Sequence, residues 1–255
     1  MSKPSKSADR GNLTEPTQEQ PLIELVELFD PGVARDLVAG DFAAWLEDTQ
    51  AGRPADVPCG TCNGCCKSFY FIHLEPDEIE ALAHIPAQLL FPAPGRPAGH
   101  KVMGHDQFGH CPMLIDEHCS IYEHRPRTCR VYDCRIFAAA NLPAGETDKA
   151  LINERARRWQ FATLHTESER QQRAVEAAGA FMRANQDAFT PGLVPSNPTQ
   201  RALLVLRVAE LFLDDARPGE WAEMDANWVA GRVAAIAAVI ERTQQGSTLT
   251  PQSAR

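Results

Sequence analysis

The sequence predicts a mainly α fold in which a small, irregular, cysteine-rich metal-binding module is flanked by N- and C-terminal helices. Three observations carry that expectation. All eight cysteines, Cys59, Cys62, Cys65, Cys66, Cys111, Cys119, Cys129 and Cys134, fall between residues 59 and 134. Helical apolar periodicity dominates on both sides of that window. Inside it, Pro and Gly interrupt the chain, most densely in PAPGRPAGHKVMGHDQFGH.

Residues 1–19 are rich in Ser, Lys, Pro, Gln and Glu and read as a mobile tail. Residues 20–54 read as N-terminal helices. PLIELVELFDPG opens with Pro21 at a first helical position and stops at Pro31-Gly32. VARDLVAGDFAAWLEDTQAG then sets Val33, Leu37, Phe42, Trp45 and Leu46 near one helical face, with Gly40 as its weak point.

The cysteine module is assigned to residues 55–140. Within it FYFIHL is β-prone, and EPDEIEALAHI carries the Pro and acidic residues of a helix start. Residues 141–246 read as the C-terminal helical region. DKALINERARRWQFATLHTESERQQRAVEAAGAFMRANQDAF is long and nearly free of Gly and Pro, and TPGLVPSNPT breaks it. QRALLVLRVAELFLDDA and WVAGRVAAIAAVIERTQQG supply two further helices, the last closing at Gly246. Residues 247–255 form a second tail.

Composition narrows the function. With 255 residues, 44% hydrophobic and 23% charged, the chain has the makeup of an ordinary globular protein. Its formal net charge of -9 argues against general nucleic-acid binding, which rests on Lys and Arg displacing phosphate counterions. The N-terminus has no apolar leader, and no stretch approaches the ~20 apolar residues that span a bilayer. A cytoplasmic location without membrane attachment is expected. In a reducing compartment eight clustered thiols read as metal or redox chemistry rather than a disulfide framework. No Ser/His/Asp triad, P-loop or Rossmann loop is visible.

CGTCNGCC, residues 59–66, spaces Cys59, Cys62 and Cys65 as C-x2-C-x2-C, and its glycines permit the positive φ angles of a tight loop that turns sulfurs inward. The second group, CPMLIDEHCSIYEHRPRTCRVYDC, leaves seven, nine and four residues between its cysteines, which matches no zinc-ribbon pair. Those thiols are expected to converge through tertiary folding and to complete the first group. The run is not that of bacterial ferredoxins, whose fourth cysteine would fall at Phe69. All eight cysteines are candidate metal ligands, for an iron-sulfur cluster or for zinc.

Arg125 and Arg130 are candidate cofactor-binding residues, because thiolate-rich centres carry negative charge and call for cationic donors nearby. Arg127 and Arg135 share that region, and all four could instead pair with Glu117, Glu123 or Asp133. His110 and His118 adjoin cysteines and are the histidines of interest. Tyr122 and Tyr132 are expected to pack the module, and Pro126 to fix a turn between cysteine-bearing segments. Neighbouring Cys65 and Cys66 project differently from the backbone. One of them is therefore expected to join Cys59 and Cys62 while the other faces the thiols of residues 111–134. A thiol-disulfide exchange role is a separate reading, but no βαβ unit is evident and eight thiols exceed what it needs.

Together, CGTCNGCC, LEPDEIEAL and CPMLIDEHCSIYEHRPRTCRVYDC resemble the zinc- or iron-chelating proteins named for their CxxCxxCC signature, a family that includes YkgJ-type cysteine-cluster proteins. The resemblance covers about a third of the chain and leaves both helical flanks unexplained. It implies binding of metal or an iron-sulfur cluster by the eight cysteines. One branch, the FliB-type flagellin lysine N-methylases, further implies iron-sulfur chemistry, although no glycine-rich S-adenosylmethionine loop is seen here. The leading expectation is a metal-binding protein, perceived either as an iron-sulfur oxidoreductase or, alternatively, as a zinc-stapled interaction or metal-handling protein without catalysis. A FliB-like lysine N-methylase is the further alternative. The expected partners are the metal ion or cluster and a second protein.

Overall fold

The computed structural model describes residues 35–55, 57–214 and 225–248. The expected 1–19 tail, the PLIELVELFDPG helix and residues 249–255 lie outside the described residues. Eight α-helices and seven short strands are present among those described, so the fold is mainly α.

The first element departs from the expected single helix. Strand β1, Leu37–Asp41, runs directly into helix α1, Phe42–Gln50. Gly40 sits at φ +96, outside the helical region, and Asp41 ends the strand by capping the helix: its carboxylate accepts the Ala44 N–H at 3.1 Å. A second strand appears where the sequence pattern suggests continuous helix. Helix α5, Ala150–Arg157, gives way to strand β7, Trp159–Ala162, before helix α6, Thr166–Ala184. Strands β1 and β7 pair in parallel, Leu37 opposite Trp159. The reason is tertiary. The Phe161 ring packs 5.0 Å from that of Phe42 and 4.7 Å from that of Trp45, so burial against α1 overrides the local helical pattern.

The cysteine-bearing segment is enclosed between β1–α1 and α5–β7. It contains strand β2, Ile72–Leu74, in the β-prone stretch, and helix α2, Ile79–His84, at the expected helix start. Strand β3, Leu90–Pro92, and strand β4, Lys101–Met103, complete an antiparallel sheet of order β2-β4-β3. Strand β4 lies in the stretch expected to be loop, where Val102 and Met103 turn inward and are buried. Strand β5, Leu114–Ile115, and strand β6, His118–Cys119, form a minimal hairpin with Asp116 and Glu117 both at positive φ, 47 and 66. Helix α3, Arg127–Val131, and helix α4, Arg135–Ala140, bring the chain out of the module.

Helix α7, Pro198–Val208, has Pro198 in its first turn and the Asn197 side chain accepting the Gln200 N–H at 3.0 Å. Helix α8 spans Ala226–Thr248. No helix among the described residues is long and apolar enough to cross a membrane.

Two cores result, and their positions fix the site. The larger joins α1, α4, α5, α6, α7 and α8 around Phe42, Phe137, Phe181, Val205, Phe212 and Ile236, with Cys134, Tyr70 and Tyr132 packed on its edge. The smaller gathers Leu74, Ala81, Ile85, Met103, Met113 and Ile121, with Cys111 and Cys119 on its edge. The thiols occupy the seam.

Candidate metal centre

All eight cysteines line one cavity of about 440 Å³. Local backbone chemistry turns the first group inward. The Cys62 N–H donates to the Cys59 carbonyl at 3.0 Å, with Gly60 at φ +58 in the turn between them. Gly64 serves differently from the expected positive φ: a Cβ there would meet the Leu151 carbonyl oxygen of α5 at 3.4 Å, so its smallness admits close approach of that helix. A single 3-10 turn over Gly64–Lys67 then carries Cys65 and Cys66.

The two cysteine groups are joined by backbone. The Cys111 N–H donates to the Cys66 carbonyl at 2.7 Å, and the Phe69 N–H donates to the Gly109 carbonyl at 2.9 Å. On the rim, Asn63 Nδ2 donates to Glu117 Oε2 at 2.9 Å and Lys67 pairs with the same carboxylate, tying the CGTCNGCC loop to the β5–β6 hairpin. Further along, Pro126 precedes α3 and its carbonyl accepts the Cys129 N–H at 2.9 Å, consistent with a turn-fixing proline.

Electrostatics show which sulfurs are neighbours. Burial pushes the Cys59 thiol up to about 11, with Cys65 and Cys62 adding to the rise and Arg155 opposing it. Burial also pushes Cys134 up to about 12; the Trp159 hydrogen bond opposes this, while Asp133, Cys59 and Cys62 add to it. Cys129 is likewise pushed to about 12 by burial, then by Cys65, Cys111 and Cys119, against Arg125. Burial raises Cys111, with Cys119 and Cys65 contributing. Cys65 is held well above the usual thiol range, first by its hydrogen bond with Cys66 and then by burial.

The thiols therefore divide into Cys59, Cys62 and Cys134 on one side and Cys111, Cys119 and Cys129 on the other. Cys65 is felt by both. It is the one exposed cysteine of the eight, but what it is exposed to is the cavity, with protein packed closely around it. Cys134 joins the first group although it lies last in the second sequence cluster. No three sulfurs approach within 4.8 Å of one another among the described residues.

Three cationic and hydrogen-bonding groups approach the thiols from the stretch running from α5 into β7, one of them in direct contact with a sulfur. Arg155 donates to the Pro58 and Cys59 carbonyls at 3.0 and 3.1 Å and lies over the Trp159 ring. Trp159 Nε1–H donates to Cys134 Sγ at 3.3 Å, from a side chain that is 2% exposed. Arg158, paired with Asp36, lies near enough to Cys62 to sense it. None of the three falls inside the cysteine window, and only the fold brings them in.

Of the arginines named from sequence, Arg125 lines the cavity and is the cation that opposes the rise of Cys129. Arg130 stands one step back: it does not line the cavity, and its guanidinium donates to the Arg125 carbonyl at 2.9 Å. Arg127 pairs with Glu75 and Asp77. Arg135 is buried against Asp133 at 2.8 Å, and Asp133 also accepts Trp45 Nε1–H at 2.8 Å, a network that anchors the backbone on both sides of Cys134.

His118 lines the cavity and its Nδ1–H donates to the Asp116 carbonyl, leaving Nε2 as an acceptor; His110 is not in the lining. Tyr132 hydroxyl meets that of Tyr70 at 3.1 Å in the cavity wall. Tyr122 is 54% exposed and packs against the Arg125 guanidinium, 4.0 Å from its ring centre.

One cavity is thus ringed by eight thiols, with the cations Arg125 and Arg155 among the residues that line it. Residues 58–154 match the model of the CxxCxxCC family, described as "Putative zinc- or iron-chelating domain". The matched residues contain all eight cysteines, whereas Trp159 lies beyond them and Arg155 begins just past their end. No match was found among curated proteins or among solved structures.

Proposed function

We propose that the eight cysteines hold an iron-sulfur centre, in two four-thiol groups that meet at the Cys65–Cys66 doublet. The donor set fits such a group, because iron-sulfur clusters take cysteine thiolates, and in a four-iron cluster each thiolate binds a different iron, which suits sulfurs held apart. The observation that carries this reading is their spacing. Closed four-thiolate zinc, with Zn–S of ~2.3 Å, requires sulfurs about 3.8 Å apart in every pair. No three thiols among the described residues come within 4.8 Å of one another, and the cavity exceeds the volume of one ion.

Within the site, Cys59, Cys62 and Cys134 form one group and Cys111, Cys119 and Cys129 the other, with Cys65 and Cys66 completing them. Trp159 N–H, Arg155 and Arg125 supply donors and positive charge that offset accumulated thiolate charge. Bound iron-sulfur would supply one-electron chemistry, and the cavity left beside it would admit a substrate or partner side chain. Zinc as a structural staple is the second reading, favoured by the thiol count: eight cysteines line the cavity, enough for two closed four-thiolate sites.

Anaerobic purification followed by iron, zinc and acid-labile sulfide analysis tests this. The iron-sulfur reading predicts a brown protein with iron and sulfide in comparable amounts. A colourless protein with stoichiometric zinc and no sulfide contradicts it.

A further inference from the structure

A second set of metal-ligating side chains converges away from the thiols. Glu80, His84 and His124 place one ligand atom each within 4.8 Å of the others, the one such group of three among the described residues. Glu80 and His84 stand four residues apart on α2 and so share a face. His124 comes from the 3-10 turn Tyr122–His124 that follows β6.

The segment leading into α2 is tied to the start of α3, three residues beyond His124, without help from the histidines. Glu78 accepts the Glu75 N–H at 2.8 Å and also the Arg127 N–H, while Arg127 reaches Asp77 at 3.0 Å and pairs with Glu75. The histidines are thus brought together on a framework braced by other residues.

Ring chemistry points the same way. A carbonyl oxygen only accepts, so the 2.8 Å contact between His84 Nδ1 and the Glu80 carbonyl places the proton on Nδ1 and leaves the Nε2 lone pair free. That is how metal-ligating histidines are usually set. The His84 and His124 rings stack at 3.7 Å, within 8° of parallel, a separation at which two imidazolium ions would repel. His124 Nδ1 stands 3.7 Å from the Glu80 carboxylate, too far for a hydrogen bond. Two stacked imidazoles and a carboxylate are gathered here with no side-chain hydrogen bond joining His124 to the carboxylate.

We propose that Glu80, His84 and His124 bind a divalent transition-metal ion of the borderline class, such as Zn2+ or Co2+, at a nitrogen/oxygen site separate from the cysteine cavity. Two histidines and one carboxylate make up the donor set of zinc sites that keep a fourth position open to water. Hard cations such as Ca2+ and Mg2+ prefer all-oxygen surroundings. Parallel rings cannot both aim in-plane lone pairs at one ion, so binding turns a ring. The ring that turns is that of His124, since His84 is held by its bond to the Glu80 carbonyl. The site faces solvent, with Glu80 80% exposed, and Tyr122 and Arg125 on either side of His124 line the cysteine cavity. An ion bound here sits beside the cavity rim.

Titration of the full-length, metal-loaded chain with Co2+ tests the proposal. Sulfur-bound cobalt gives intense thiolate-to-cobalt charge transfer, whereas nitrogen/oxygen ligation gives only weak d–d bands, so the two kinds of site are counted separately. Wild type is expected to take up one equivalent with the weak bands alone. His84→Gln combined with His124→Gln removes that equivalent, and Glu80→Gln weakens it by at least about tenfold. All three side chains are solvent-facing enough for the variants to fold. His165→Gln, at an exposed histidine preceding α6, leaves uptake unchanged. Equal uptake of weak-band cobalt by wild type and the double histidine variant overturns the proposal, whatever the thiols hold.

Discussion

At the residue scale the contact that most directly links the helical scaffold to the thiols is Trp159 Nε1–H to Cys134 Sγ, 3.3 Å long and made from a buried tryptophan. An N–H aimed at a ligating sulfur stabilises the thiolate and slows its departure from metal. Trp159→Phe keeps an aromatic ring in β7 and deletes only this donor. Release of bound metal to a chelator should then quicken by about tenfold, a rate that absorbance of the chelator complex measures. An unchanged rate would reduce Trp159 to packing. The eight thiols were legible in the sequence, because their spacing and density are local properties. Trp159 and Arg155 were not, since nothing in WQFATLH or NERARRW signals a sulfur that lies 25 residues from Trp159 or, for Arg155, carbonyls 96 and 97 residues away. Arg125 was named from its neighbourhood and lines the cavity, while Arg130 lies outside the lining and donates to the Arg125 carbonyl.

At the element scale the short parallel pairing of β1 with β7 closes the two ends of the cysteine-bearing segment, and α4 and α6 pack behind it. That packing is unusually close at Gly179 of α6, where an added Cβ would stand 2.2 Å from the Ala140 carbonyl oxygen at the end of α4. The obstacle is backbone and cannot rotate away. Gly179→Ala, which would stabilise an isolated helix, should instead destabilise the fold by ~1–3 kcal/mol, read from the urea midpoint. Helices α2, α6, α7 and α8 follow from apolar periodicity, capping and Pro placement. The two strands of the ribbon were hidden differently: in VARDLVAGD the single Gly40 read as a weak point of a helix, whereas WQFA has no Gly or Pro boundary at all, and Phe161 becomes strand through its contact with Phe42 and Trp45. Strand β4 was hidden in the opposite way, three residues set within a stretch dominated by Pro and Gly.

At the scale of the whole molecule, two cores meet at a seam of thiols whose protonation is costly to lose in the metal-free chain. Burial raises Cys59 to about 11 and Cys129 and Cys134 to about 12, from a usual value of 9.0. A raised thiol favours the neutral form in the folded state. Its stabilising contribution is complete below pH 9 and is lost as pH climbs through 11 to 12. The urea midpoint of the metal-free chain should therefore hold steady below pH 9 and fall progressively from there towards pH 11. The metal-loaded chain, whose thiols are already deprotonated by coordination, should follow this fall much less. The central claim is that thiols from both cysteine groups ligate metal in one cavity. Its most direct measurement is alkylation of the metal-loaded and metal-stripped protein, with each cysteine quantified by mass spectrometry. The account predicts that Cys59, Cys62, Cys65, Cys66, Cys111, Cys119, Cys129 and Cys134 are all protected when loaded and all labelled when stripped. Labelling of Cys111, Cys119 and Cys129 at the same rate in both states would contradict it.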